Sequence, residues 1–196
     1  MKSEQNPKII AIAGPNGAGK STLAPRLLRD LLQIKECVNA DTIAAGLSAF
    51  NSQGAALEAG RIALKRYDYL ASQRISFAFE TTLAARSYAL RIHQLCQQGY
   101  DFYLFYLWLR DVEIAIERVK ERVRLGGHDI PQQIIRQRYE RGMKNFHHLY
   151  KPMAINWGLY DNSDVEELRI IAAGSKDSLI EIYEKELWSE FCGGVK

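Results

Sequence analysis

Ile10-Ala-Ile-Ala-Gly-Pro-Asn-Gly-Ala-Gly-Lys-Ser-Thr22 is a short apolar run that breaks into glycines and ends on a lysine and two hydroxyls. Within it, Gly14-x-x-x-x-Gly19-Lys20-Ser21 satisfies the phosphate-loop pattern, set between an expected strand and an expected helix. Glycines let consecutive backbone N–H groups curl around an anion, and the helix N-terminus that follows adds partial positive charge. The reading assigns Gly14, Pro15, Asn16, Gly17, Ala18, Gly19, Lys20, Ser21 and Thr22 to a nucleotide. Lys20 would reach the β- and γ-phosphates of ATP, and the Ser21 hydroxyl would ligate Mg²⁺. Read as plain structure, the same glycines would only turn a strand into a helix, but that leaves the lysine and hydroxyls unexplained.

Outward from the loop, short apolar strands alternate with helices. Strands are expected at 8–13, 36–40, 76–80, 101–109 and 168–174. Helices are expected from Lys20 to about Leu32, after Asp41, over 54–75, 87–99, 111–123 and 131–150, and over 178–191 as a closing element. Pro131 stands at a first helical position. Continuous apolar strands separated by helices imply a parallel sheet buried between helical layers. The expectation is therefore an α/β, three-layer P-loop NTPase fold with a five-stranded parallel sheet, in one domain over 1–196.

With 196 residues, 47% hydrophobic and 25% charged, the chain has the profile of an ordinary globular domain. A net charge of +3 argues against nucleic acid as partner and suits a few placed cations on polyphosphate. No apolar run approaches the ~20 residues that span a bilayer, and MKSEQNPK lacks the apolar core of a signal peptide. Cys37, Cys96 and Cys192 are far apart and read as free thiols in a reducing compartment, so the cytoplasm is the expected address and no membrane partner is implied.

A guanine-reading Asn-Lys-x-Asp and the Leu-Ser-Gly-Gly signature of transport ATPases are both missing, and a small kinase fits the length best. Such an enzyme positions reactants and neutralises charge. Asp41 follows the second expected strand and Glu80 closes the third, both beyond the carboxyl ends where a parallel sheet builds its site. Asp41 reads either as a helix N-cap or as a group that accepts the acceptor's proton or holds Mg²⁺ through water. Glu80 precedes Thr81 and Thr82 and carries the same two chemical options.

Arg110, Arg118, Arg122, Arg124, Arg136, Arg138 and Arg141 cluster around Leu125-Gly-Gly-His128. The first members interleave with Glu113, Glu117 and Glu121, so solvated helix pairing is a serious alternative. The double glycine instead suggests a lid, about 118–142, that closes over ATP and presents a guanidinium to the moving phosphoryl. His128 contacts phosphate or steadies that turn; His93, His147 and His148 lack metal-like partners and read as structural.

GPNGAGKST (14–22), NADTIAAGLS (39–48), FAFETTL (77–83), RVRLGGHDIPQQIIRQRYERG (122–142) and YDNS (160–163) together resemble the zeta-toxin family of small P-loop kinases. The resemblance implies an ATP-dependent phosphotransferase acting on a hydroxyl of a small acceptor. Well-known members phosphorylate UDP-N-acetylglucosamine, so that compound or a related sugar nucleotide is the implied acceptor. By position, Asp41 matches the family's general base. Glu80, Thr81 and Thr82 match residues beside the sugar. Arg122, Arg124, Arg136 and Arg138 are all eligible as phosphate-binding lid arginines, with Arg122 and Arg136 taken as catalytic and Arg124, His128 and Arg138 as acceptor-facing. Arg118 resembles a residue stacking on adenine. An antitoxin protein is a compatible partner. The chain is shorter than the plasmid-borne toxins, which leaves the acceptor open. Two other readings compete: an ATP-gated interaction module with slow hydrolysis, and a polynucleotide end kinase, which the modest charge disfavours.

Overall fold

The computed structural model describes residues 6–48, 52–127, 129–164, 167–176 and 178–194. Its strands are β1 (Lys8–Ala13), β2 (Glu36–Val38), β3 (Phe77–Thr81), β4 (Asp101–Trp108), β5 (Asn156–Asp161), β6 (Arg169–Ser175) and β7 (Ser178–Ile182). The helices are α1 (Lys20–Pro25), α2 (Ala40–Leu47), α3 (Ser52–Ser72), α4 (Ser87–Gln97), α5 (Val112–Arg124), α6 (Gln132–Asn145) and α7 (Lys185–Gly193).

One sheet of order β2-β3-β1-β4-β5-β6-β7 carries the fold. β1 lies between β3 and β4, parallel to both, as expected for the strand feeding a phosphate loop. Its residues alternate across the sheet as a two-residue period demands. Ile10 and Ile12 meet Ala24, Leu28, Ile34 and Ala78 on one face, whereas Ile9, Ala11 and Ala13 join Phe77, Phe79, Phe102 and Leu104 on the other. Both faces are covered, which is why the strand reads as uninterrupted apolar sequence.

The expected five-stranded, all-parallel sheet is corrected to seven strands, of which β6 and β7 run antiparallel to their neighbours. Chain length is the reason. A parallel crossover needs a dozen or more residues, and neither the link from Asp161 to Arg169 nor that from Ser175 to Ser178 has them. β5 escapes sequence reading because NWGLYD mixes Asn, Gly and Asp into a strand. The first part of the expected closing helix becomes β7, where Ile180 and Ile182 favour a pleated strand, and α7 starts only at Lys185.

Two helices are also interrupted. Pro25 lacks an N–H, and after it the expected helix to Leu32 continues as a π turn over Arg26–Leu31. The helix expected over 131–150 starts after Pro131, which stands at the N-cap, and gives way to a π turn at Phe146–Tyr150.

The loop after β3 is clamped from α6. Leu83, fully buried, adopts φ 57, a left-handed conformation that costs a branched residue roughly 1–2 kcal/mol. Its carbonyl accepts from Asn145 Nδ2 at 2.7 Å, and the Tyr150 hydroxyl donates to Ala85 O at 2.5 Å. A Cβ on Gly142 would stand 2.5 Å from Thr82 O, so only glycine lets α6 lie this close. The second half of α6 is thus part of the core, with Gly142, Met143 and Asn145 buried. Freedom for a lid is confined to the part of 118–142 before that anchor. Among the described residues, no helix is long and apolar enough to cross a membrane.

Candidate active site

β1 and β3 end level with each other, Ala13 opposite Thr81 and Ile12 opposite Glu80. The phosphate loop therefore leaves the sheet beside the Glu80 carboxylate, and Gly14 N–H donates to Thr81 O at 3.2 Å. Gly14 (φ 140) passes so close to β4 that a Cβ would meet Leu107 O at 2.1 Å. Gly19 (φ 80) turns the loop into α1, and there a Cβ would stand 2.7 Å from Asn162 Nδ2.

Lys20, at the head of α1, folds back over the loop and donates to Gly14 O at 2.9 Å and Pro15 O at 2.8 Å. Burial lowers its pKa from 10.5 to about 8; Glu80 and Asp41 oppose the shift, and Arg122 and Arg138 add to it. Two arginines of the expected lid thus place positive potential at the lysine. Between about pH 8 and 10.5 the unfolded chain holds a proton here that the folded protein has released, so this group's stability contribution rises with pH across that window. An anion on Lys20 reverses the balance by favouring the ammonium. ADP binding at about pH 8.5 is expected to take up protons and at about pH 6.5 to take up almost none. Calorimetry in buffers of differing ionisation enthalpy reads this directly, and equal uptake at both pH values would exclude Lys20 as the titrating group.

Ser21, next along α1, donates its hydroxyl to Glu80 Oε2 at 2.7 Å, and Asn39 Nδ2 approaches the same hydroxyl at 3.4 Å. Asn39 is also the N-cap of α2: its Oδ1 accepts from Asp41 N–H at 2.9 Å and Thr42 N–H at 3.2 Å. The capping role considered for Asp41 is therefore filled by Asn39, for which asparagine at this position is well suited. Asp41 sits in the first turn of α2, exposed, with its carboxylate beside the helix N-terminus.

A cavity of about 530 Å³ opens beneath α6, and Lys20, Asp41, Glu80, Thr82, Arg138 and Arg141 all line it. On α6 the lining positions are Ile134, Gln137, Arg138 and Arg141, one face of a helix by spacing. Asn16 reaches the same cavity, buried to 5% exposure, and its Oδ1 has no hydrogen-bond partner. A buried polar atom without a partner in a cationic cavity fits a site that a polar ligand completes. A second cavity, of about 690 Å³, lies across the loop, lined by Gly17, Gly19, Thr22, Arg118, Arg122 and Leu168 among others.

The remaining expected site residues divide sharply. Thr81 and Thr82 stand at the cavity beneath α6, their hydroxyl oxygens accepting from Leu83 N–H at 3.0 Å and Ala84 N–H at 3.4 Å. Arg136 points away from both cavities and pairs with Glu113 of α5 at 2.5 Å. Arg124 pairs with Glu121 at 3.0 Å in the solvent. Arg118 spends its guanidinium on the backbone, donating to Asn162 O and Ser163 O, both at 2.8 Å, while keeping its place in the second cavity. His128 lies outside the described residues.

Sequence reading counts Arg141 in the arginine cluster and places Asn39 and Asn162 in the family motifs, but gives none of the three a site role. Arg141 carries a usable signal, since it stands three positions from Arg138 and so shares its face. Asn39 is visible only as the residue before a helix start, and Asn162 only as part of YDNS.

The family model described as Zeta toxin matches residues 1–167. An uncharacterized protein of Haemophilus influenzae is 36% identical over 132 residues, covering 67% of this chain and 92% of its own length. Among solved structures, a chain from the AvrRxo1-ORF1:ORF2 complex with ATP superposes with a TM-score of 0.75 at 16% identity. The match covers 96% of this chain but 64% of that one, so the chain spans less than two thirds of that relative's length. A chain from the PezAT chromosomal toxin–antitoxin system of Streptococcus pneumoniae gives a TM-score of 0.67 at 15% identity, covering 98% of this chain and 81% of its own. At such identities the two structures speak for the fold.

Proposed function

The chain belongs to the zeta-toxin family of P-loop kinases, and on that premise we propose that it transfers the γ-phosphoryl group of ATP to a hydroxyl of a small acceptor in the cavity beneath α6. The observation that carries this reading is the convergence of Lys20, Asp41, Glu80, Arg138 and Arg141 on that one cavity. UDP-N-acetylglucosamine, or a related sugar nucleotide, is the acceptor we propose, held by Thr81, Thr82 and the α6 arginines. A cytoplasmic setting and a protein partner of the antitoxin kind complete the reading. The latter has support from the AvrRxo1-ORF1:ORF2 complex and the PezAT toxin–antitoxin system among the similar structures.

Asp41 is the proton acceptor in this mechanism. As the acceptor oxygen bonds to the γ-phosphorus, its proton passes to the Asp41 carboxylate and the bond to the bridging oxygen of ADP breaks. Lys20 leaves the loop carbonyls for the β- and γ-phosphate oxygens, where its full charge is restored. Arg122 and Arg138, already close enough to shift Lys20, neutralise the charge spread over the transferring group. Arg118 lines the second cavity, and in this reading its guanidinium would stack on the adenine base.

The Ser21 hydroxyl and Glu80 carboxylate form an all-oxygen donor set at the loop's edge, chemistry that suits Mg²⁺ and its retained waters. When bound, Mg²⁺ would neutralise β- and γ-phosphate charge; Ser21 would hold it directly and Glu80 through water.

ADP release from ATP and Mg²⁺ tests the reading. UDP-N-acetylglucosamine is expected to raise the rate well above the acceptor-free background, with phosphate recovered on the sugar. Unchanged release would discard this acceptor, and a screen of hydroxyl-bearing metabolites without any response would discard the kinase reaction.

A further inference from the structure

The turn that ends β5, Asp161-Asn162-Ser163, is fixed unusually firmly for a surface connection. Asp161 is 2% exposed and its Oδ2 pairs with Arg110 Nε at 3.2 Å. Its Oδ1 accepts from Ser163 N–H at 2.9 Å and from the Ser163 hydroxyl, and that hydroxyl oxygen accepts from Arg110 N–H at 2.8 Å. Asn162 N–H donates to Trp108 O at 2.9 Å, continuing the β4–β5 pairing. Arg118 of α5 then holds both Asn162 O and Ser163 O. The backbone of the turn is satisfied before the Asn162 side chain is counted, so that side chain is not required to close it.

What the Asn162 amide does instead is reach the phosphate loop. Its Nδ2 donates to Ala18 O at 2.8 Å, across 144 residues of sequence. The contact is close because Gly19 has no Cβ to keep the amide away. A trans peptide is planar, with C=O and N–H pointing in opposite directions. Holding the Ala18 carbonyl toward Asn162 therefore directs the Gly19 N–H of the same peptide unit the opposite way, away from Asn162. Arg118 repeats the device one peptide earlier, more weakly, at 3.5 Å from Gly17 O.

We infer that Asn162 is a positioning residue for the phosphate loop, its side-chain amide setting the Ala18–Gly19 peptide so that Gly19 N–H is presented to a bound phosphate. The inference rests on the nucleotide reading of the loop and not on the identity of the acceptor. Donors preset toward an anion bind it without first paying to reorient. The same turn links the loop to α5 through Arg118, so the helix bearing Arg122 and the loop share one support.

The test uses the protein with ADP, and the variants Asn162→Ala and Asn162→Leu; the leucine keeps the branched heavy-atom skeleton while removing the donor, and stands in if the alanine does not fold. Asn162→Ser, which retains a donor, is the rescue variant. In the wild type the Gly19 amide proton is expected to move strongly downfield on ADP binding. In the donor-less variants that shift should shrink and the Kd for ADP should rise about tenfold or more, the scale of one charge-assisted hydrogen bond. Serine should recover part of both. Hydrogen exchange at the Gly19 amide in the ADP complex should accelerate in the same order. ADP affinity and Gly19 shifts equal to wild type in a folded donor-less variant would overturn the proposal. Absence of ADP binding by the wild type would sink the nucleotide reading itself, and this inference with it.

Discussion

Replacing Asp41 by asparagine is expected to lower acceptor-dependent ADP release by about 10²–10⁴-fold, the range that follows loss of a positioned general base. ADP affinity and thermal stability should stay close to wild type. The substitution keeps the size and shape of the side chain and removes only its capacity to take a proton. It also leaves α2 intact, because the helix start is capped by Asn39 Oδ1 through Asp41 N–H and Thr42 N–H, and neither contact uses the Asp41 carboxylate. The converse experiment separates the two neighbours. Asn39→Ala should weaken the helix start by about 1 kcal/mol, as loss of a cap does, and should disturb Ser21 as well. Both variants would be read with stopped-time ADP assays and with thermal melts. An Asp41→Asn protein that retains full activity would remove the carboxylate from the chemistry and leave Glu80 as the remaining proton acceptor at the cavity.

The reason Asp41 was ambiguous in the sequence is instructive. Asn39-Ala-Asp41 offers two good cap residues within three positions, and propensity does not choose between them. Backbone conformation does, since Asn39 is extended with φ −129 and ψ 113 whereas Asp41 is already inside α2. The phosphate loop, by contrast, was legible to the residue. Its glycines answer to local demands, a close pass at Leu107 O and a left-handed turn at Gly19, which leave no other residue type acceptable. The central strands were legible for a related reason: burial on both faces leaves β1 and β4 almost no room for polar residues. The far edge of the sheet was not. β5 contains Gly158, over which the Tyr160 ring lies, and β7 has a wet edge, so neither carries a core pattern. The residues by themselves show the arginines as a cluster, and only the family resemblance assigns Arg122 and Arg136 to catalysis and Arg118, Arg124 and Arg138 to binding. Which of the α6 arginines lines the cavity depends on the rotation of α6, and that is set by Asn145, Gly142 and Tyr150 gripping the loop around Leu83.

That rotation gives the sharpest contrast among the arginines of the expected lid. Arg138→Ala is expected to lower the transfer rate by about 10³-fold or more, the lower end of what a guanidinium on a transferring phosphoryl contributes, whereas Arg136→Ala should leave it within about threefold, as loss of an exposed ion pair does. Two positions apart on one helix, these residues point to different sides. Arg138 lines the cavity with Lys20 and Asp41 and is near enough to depress the lysine's pKa. Arg136 reaches across to Glu113, with 44% of its side chain in solvent. Arg138→Lys should recover only part of the loss, because an ammonium keeps the charge but not the planar fork that meets two phosphate oxygens at once. Saturating kinetics in ATP and acceptor separate the outcomes: loss of transition-state charge neutralisation lowers kcat, and loss of ground-state binding alone raises KM. Activity that survives in Arg138→Ala and disappears in Arg136→Ala would require α5 and α6 to rearrange on nucleotide binding, turning the Glu113-paired face inward. Equal, small losses in both would transfer the role to Arg122 or Arg141, whose single and paired alanine variants are then the decisive comparison.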